Sequence, residues 1–127
     1  MTNTTKLAWL AGAGAVGTLA RYWLSGFVQH LHESGLPFGT LVVNLLGCLL
    51  FGLVWTLAED RLLVSGDTRI VALVGFMGAF TTFSTYAFET TAMLRDAEWG
   101  VAAANVLAQN VLGVAAILLG HALGRLA

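Results

Sequence analysis

Four hydroxyl side chains are the most chemically capable feature of this sequence. They lie within one long apolar stretch: Thr81, Thr82, Ser84 and Thr85. A simple hydrophobic anchor has no use for them, because a hydroxyl group away from water must find a hydrogen-bond partner. Serine and threonine bond to nearby backbone and can bend helices, and Gly78 stands just before them. The pattern predicts a helix break between Gly78 and Thr82.

The groups around such a break could bind a cation through backbone carbonyls or guide a solute along polar side chains. Inside a membrane, broken backbone is tolerated only where protein or water satisfies it, and the freed carbonyls can bind a small cation. Beyond the break, polar side chains follow at i, i+3, i+4 and i+7, a spacing that shares one helix face: Thr82, Thr85, Tyr86 and Glu89. This stripe is either a polar lane for a solute or a set of hydrogen bonds that joins helices.

Charges and amides also lie within apolar stretches. Arg21 and Glu89 are the ionisable residues most clearly inside them, and charges in a membrane usually mark a pathway or a pair. Arg21 could attract anions into a wet vestibule or extend to the interface, while Glu89 could cap or pair structurally. Asn44 offers two N–H donors, which suit an anion. More amides follow in the last stretch, and each could equally join helices: Asn105, Gln109 and Asn110.

The elements that must position these groups are membrane helices. Of the 127 residues, 57% are hydrophobic and only 10% are charged, whereas a soluble domain carries about 25% charged residues. A helix needs about 20 apolar residues to cross the hydrocarbon core. Four stretches fit, which predicts an all-α, single-domain membrane protein with spans at residues 7–31, 37–58, 69–94 and 98–124.

Positive charges fall unevenly on the two sides of these spans. The side opposite the termini has Arg95 and at most Arg21, whereas the side of the termini holds four: Lys6, Arg61, Arg69 and Arg125. The positive-inside rule therefore favours cytoplasmic termini.

Several function classes have no support in the sequence. The net charge is −1 and no basic patch is present, so a nucleic-acid partner is not expected. His30, His32 and His121 lie near span ends, and no metal-ligand cluster, nucleophile–base pair or phosphate loop accompanies them. We therefore expect no enzyme. The single cysteine, Cys48, lies mid-span and is interpreted as a packing residue.

Two central motifs resemble the Fluc (CrcB-type) family of fluoride channels, and the resemblance extends over essentially the whole chain. The motifs are Gly39-Thr-Leu-Val-Val-Asn44-Leu-Leu-Gly47 and Gly78-Ala-Phe-Thr-Thr-Phe-Ser-Thr-Tyr-Ala-Phe-Glu89, with Arg21-Tyr22 late in the first span. The resemblance implies a multi-pass protein of the bacterial inner membrane. It would let fluoride leave the cytoplasm passively and so lower its toxicity.

The resemblance also implies an assembly and specific site residues. The family forms antiparallel, dual-topology homodimers with two pores and a structural sodium ion at the centre. The sodium ligands would be the backbone carbonyls of Gly78 and Thr81. Fluoride would pass a phenylalanine pair, of which Phe83 matches the first member and Tyr86 replaces the second. Two amides match polar pore positions: Asn44 and Asn110.

The implied chemistry is consistent with these residue types. Fluoride is small and strongly hydrated, so its path must replace water with donors: Asn44, Thr82, Ser84 and Thr85. The electropositive edge of the Phe83 ring can face an anion. The hydroxyl of Tyr86 could donate to fluoride or block the lane. The uneven Lys and Arg distribution departs from dual topology, which requires both orientations in one membrane.

Two other functions stay open on the sequence alone. A proton-coupled small multidrug transporter is similarly short but depends on a carboxylate in its first span, where this chain has Arg21. A non-transporting subunit of a larger membrane complex would fit the glycine-rich helix faces. The polar stripe and the predicted break argue against that second alternative.

Overall fold

The computed structural model describes residues 1–127 and contains helices without strands. The helices are α1 Asn3–Leu31, α2 Phe38–Glu59, α3 Gly66–Ile70, α4 Gly78–Phe80, α5 Phe83–Arg95, α6 Trp99–Leu107 and α7 Gly113–Leu126. Two π-helical stretches, Val71–Met77 and Ala108–Leu112, join α3 to α4 and α6 to α7. Three segments are long and apolar enough to cross a membrane: Phe38–Glu59, Gly66–Arg95 and Trp99–Leu126. Helix α1 is also long, with 29 residues, but does not reach the same hydropathy.

Hydroxyl side chains cap three of the helices. The Oγ1 atom of Thr2 accepts from a backbone N–H at the start of α1, and the Oγ atom of Ser65 does the same for α3. Thr82 caps α5, where its Oγ1 atom accepts from the N–H of Thr85 at 3.2 Å. Each cap satisfies one of the N–H groups that a helix start leaves without a partner.

Helices α2 and α7 pack closely because glycines stand at their contact. A Cβ atom at Gly120 would overlap the carbonyl oxygen of Leu49, and one at Gly52 would overlap that of Ile117. Small residues of this kind let membrane helices approach backbone to backbone. This contact fixes the position of α7, and with it the amides of the preceding π-helical stretch.

Helix α1 packs along the third segment before its break. A Cβ atom at Gly17 would overlap the carbonyl oxygen of Phe76, and one at Gly75 would lie 3.0 Å from the Cβ atom of Ala13. A small core fills the space between these helices and α2: Val43, Leu73, Met77 and Phe80.

The predicted helix break is present at Thr81 and Thr82. Both residues are extended, with φ −83° and ψ 158° at Thr81 and φ −150° and ψ 110° at Thr82. Before the break the segment packs on α1, and after it α5 packs on α6. The break therefore moves the chain from one neighbour to another and opens space on both sides of Thr82.

The outer surface of the bundle is apolar, and the charges lie mainly at helix ends. Large side chains such as Trp23, Phe27 and Val111 are more than half exposed. A soluble monomer rarely exposes so much contiguous apolar surface. The surface is that of a membrane protein.

Candidate functional site

One side chain, Asn44 of α2, holds the backbone of the break. Its Nδ2 atom donates to the carbonyl oxygen of Thr82 at 3.1 Å, and its Oδ1 atom accepts from the N–H of Thr82 at 2.8 Å. The two bonds satisfy both backbone groups that Thr82 would otherwise leave unpaired within the membrane. They also fix the orientation of the amide, since only nitrogen can donate to a carbonyl and only oxygen can accept from an N–H.

The second N–H of Asn44 is also bound to protein. Asn44 Nδ2 donates to Gln109 Oε1 at 3.1 Å, across to the π-helical stretch Ala108–Leu112. The sequence suggested that the two N–H groups of Asn44 could bind an anion. In this structure both of them have protein acceptors. An anion could bind Asn44 only by replacing one of these hydrogen bonds.

A cleft of about 350 Å³ opens beside the break, and we call it the aromatic cleft. Its polar and aromatic lining residues are Asn44, Cys48, Phe51, Thr81, Thr82, Phe83, Tyr86, Gln109 and Asn110. The rings of Phe83 and Tyr86 meet edge to face, with centroids 5.6 Å apart and planes at 63°. Phe83 is 78% exposed, so the cleft is open on that side of the single chain.

The π-helical stretch Ala108–Leu112 brings two consecutive amides, Gln109 and Asn110, to this cleft. In a regular α-helix, neighbouring side chains point about 100° apart, and π-helical turns are frequent at functional sites. The Nε2 atom of Gln109 is buried and has no hydrogen-bond partner. The sequence marks Gln109 only as one of three amides in the last span, beside Asn105 and Asn110, and gives it no separate site signal.

A second cleft, of about 300 Å³, lies on the other side of the break, and we call it the arginine cleft. Arg21 of α1 lines it and is half-buried, without an ion pair in the single chain. Its other polar lining residues are Thr18, Tyr22, Ser25, Thr40, Thr82 and Thr85. Thr82 is the residue that lines both clefts.

The polar stripe expected beyond the break does not line a single path. Thr85 lines the arginine cleft, Tyr86 lines the aromatic cleft, and Glu89 lines neither. Glu89 Oε1 accepts from the hydroxyl of Thr40 at 2.7 Å, which joins α5 to α2. Thr82 caps α5 and its hydroxyl is bonded to Thr85, so these two residues lie together as their spacing predicts. That the stripe forms a lane for a solute stays a prediction.

The remaining hydroxyl, Ser84, lies outside both clefts. Its side chain is exposed, and its Oγ atom lies 3.3 Å from Thr82 Oγ1. The hydroxyl of Thr82 in turn donates to Thr85 Oγ1 at 2.9 Å. These hydroxyls therefore form a short chain around the cap of α5.

Several backbone carbonyls at the break have lost their helical donors, among them those of Gly78 and Thr81. The N–H of Thr81 donates to Met77, and the N–H of Thr82 donates to Asn44, so neither is available to the carbonyl of Gly78. The N–H of Thr85 donates to the Thr82 side chain, and the carbonyl of Thr81 accepts no hydrogen bond. Unpaired carbonyl oxygens at a broken membrane helix are suitable cation ligands.

The residues of this site lie within a segment that matches a known protein family. Residues 8–121 match the family described as "CrcB-like protein, Camphor Resistance (CrcB)". The chain belongs to this family. Three relatives named "Fluoride-specific ion channel FluC" align over 121 residues, which is 95% of this chain and 97% of each relative. They come from Nitrosococcus oceani, at 56% identity, and from Desulforapulum autotrophicum and Solidesulfovibrio magneticus, both at 54%.

Membership of the CrcB family confirms the resemblance drawn from the two central motifs. The family match includes both the Asn44 motif and the break motif. The family is one of membrane ion channels, which is not an enzyme class.

The hydrogen bonds of Asn44 predict a large loss of stability in Asn44→Leu. The substitution leaves the N–H and the carbonyl of Thr82 unpaired, so we expect the free energy of unfolding to fall by about 2–6 kcal/mol. Titration of the purified protein with a denaturing detergent, followed by circular dichroism, measures this change. Asn110→Leu is the matched control and should cost less than about 1 kcal/mol, because no backbone group depends on Asn110 alone. Equal losses in the two variants would contradict the role given to Asn44.

Proposed function

We propose that this chain is a fluoride-selective channel that lets fluoride leave the cytoplasm passively. The observation that carries the proposal is the aromatic cleft, where an aromatic edge and unpaired donors meet at a broken membrane helix. The names of the relatives support it, since each is called a fluoride-specific channel.

The chemistry of the cleft fits a small, strongly hydrated anion. Such an ion leaves water only where protein donors replace its hydration shell. The unpaired N–H groups of Gln109 are donors of this kind, and the ring edge of Phe83 adds an electropositive surface. We infer that fluoride passes Thr82, Phe83 and Tyr86, with Asn44 holding the wall of the path.

Arg21 supplies the charge that draws an anion toward this path. No carboxylate lines the arginine cleft and Arg21 has no ion pair, although the Glu89 carboxylate lies behind the cleft wall, bonded to Thr40. Thr85 adds a hydroxyl to the same cleft. Glu89 has a structural role in this proposal, since its hydrogen bond to Thr40 ties α5 to α2.

We propose that α1 is a fourth membrane span and that two chains pair antiparallel. At 1.5 Å per residue, α1 is about 43 Å long, which is enough to cross the hydrocarbon core. The exposure of Phe83 leaves the aromatic cleft without a wall on one side. A second copy related by a two-fold axis would close both clefts and give two pores per dimer.

A sodium ion at the centre of this dimer would bind the backbone carbonyls that the break leaves without donors. The oxygens of Gly78 and Thr81 are the candidate ligands, and Gly78 is exposed on the single chain. Two copies would contribute four such oxygens. The ion would neutralise their partial charge and fasten the two broken helices together.

The channel function predicts release of fluoride, but not chloride, from liposomes that contain the purified protein. A fluoride electrode and a chloride electrode record the two rates. Phe83→Ile should lower fluoride release about tenfold, the effect of losing about 1.4 kcal/mol of anion stabilisation. Phe27→Ile on the outer face of α1 is the matched control and should leave the rate unchanged. No fluoride release from the unmodified protein would instead favour a non-transporting subunit.

The antiparallel dimer predicts that both orientations occur in one membrane. Cys48→Ala removes the only native thiol, and Ala127→Cys then places one thiol at the exposed C-terminus. A membrane-impermeant maleimide added to intact cells should label about half of these chains, despite the uneven Lys and Arg distribution. Complete labelling, or none until the cells are lysed, would show a single orientation.

The sodium proposal predicts a cation-dependent dimer. Purification in N-methylglucamine chloride in place of sodium chloride should convert dimers to monomers on size exclusion, because the facing carbonyls then repel each other. Return of sodium should restore the dimer and the fluoride release. A dimer that is equally stable in both salts would rule out this role for sodium.

A further inference from the structure

The hydrogen bond between Asn110 and the Tyr86 hydroxyl has a donor that can be assigned from the contacts of Asn110. Asn110 Nδ2 lies 2.8 Å from the carbonyl oxygen of Val106 and 3.3 Å from the Tyr86 hydroxyl. A carbonyl oxygen only accepts, so the atom beside Val106 must be the amide nitrogen, and the same nitrogen faces Tyr86. The phenol oxygen therefore accepts from Asn110.

Because the phenol oxygen accepts, its own proton is free to donate elsewhere. The Tyr86 hydroxyl makes no other hydrogen bond within the chain, so this O–H group has no protein acceptor. Accepting a hydrogen bond also polarises the O–H group and strengthens it as a donor. The edge-to-face contact with Phe83 limits where the ring can move, and both rings line the aromatic cleft.

We propose that Tyr86 is a direct fluoride ligand through its O–H group, and that Asn110 is a positioning residue that orients this donor. The inference rests on the proposed function and refines it. In this account Asn110 does not contact the ion, since both of its N–H groups are committed to Val106 and Tyr86. The π-helical stretch Ala108–Leu112 places Asn110 where it can reach the phenol.

The proposal gives the tyrosine a role in selecting the anion. An O–H donor to an anion forms a short, charge-assisted hydrogen bond, which is stronger than one between neutral groups. Fluoride accepts such a bond best among the halides because its charge is the most concentrated. A phenylalanine at this position would offer only its weakly positive ring edge.

A double-mutant cycle on the full chain in proteoliposomes tests the two roles. The variants are Tyr86→Phe, Asn110→Leu and their combination, with fluoride efflux as the measurement. We expect Tyr86→Phe to lower the efflux rate about tenfold, as loss of one charge-assisted hydrogen bond would. Asn110→Leu should lower it by a smaller factor in the Tyr86 protein and have no effect once Tyr86→Phe is present.

Thr91→Val is the control for loss of a hydroxyl from the same helix. The Thr91 hydroxyl donates to the carbonyl of Ala87 and lies outside both clefts, so efflux should not change. If Asn110→Leu does not fold, Asn110→Ala takes its place in the cycle.

Each other outcome overturns a defined part of the inference. An unchanged or faster rate in Tyr86→Phe would remove the phenol as a ligand. An equal effect of Asn110→Leu in both backgrounds would show that Asn110 acts independently of Tyr86. Either result, with normal efflux from the unmodified chain, leaves the channel function standing, whereas no efflux from the unmodified chain refutes that function itself.

Discussion

A broken helix inside a membrane must have its exposed backbone satisfied, and in this chain one amide does so. Each unpaired backbone group in hydrocarbon costs several kcal/mol, so an extended residue such as Thr82 persists only with partners for both its N–H and its carbonyl. Asn44 provides both partners from the neighbouring helix α2. Without these two bonds, both backbone groups of Thr82 would be unpaired within the membrane.

The other features of the site follow from this pair of bonds. Because the N–H of Thr82 is held by Asn44, the carbonyl of Gly78 loses its helical donor and becomes a candidate cation ligand. Because the chain changes neighbours at the break, space opens on both sides of Thr82 as the two clefts. The candidate cation ligands and the two clefts thus arise from the same two extended residues. The proposed dimer would use the first for assembly and the second for transport.

Part of this arrangement could be predicted from the sequence. Hydroxyl residues beside Gly78 within an apolar stretch indicated the break, because their local bonding preferences conflict with an uninterrupted membrane helix. Of the polar stripe, Thr82 and Thr85 lie together at the start of α5, whereas Tyr86 lines the other cleft and Glu89 bonds to Thr40. The sequence singled out Asn44 as a donor for an anion, whereas in the structure its amide nitrogen donates to Thr82 and Gln109. The π-helical stretch that brings Gln109 to the cleft depends on tertiary packing, and hydrophobic periodicity does not detect it.

The most direct test of this account is the reversal potential of the purified protein in a planar bilayer. Chloride would be equal on both sides, with a tenfold gradient of fluoride across the membrane. A path shaped by the break and selective for fluoride predicts a reversal potential of about 59 mV, the equilibrium value for a monovalent ion. A current that reverses near zero would mean that fluoride does not carry it selectively, and would contradict the account.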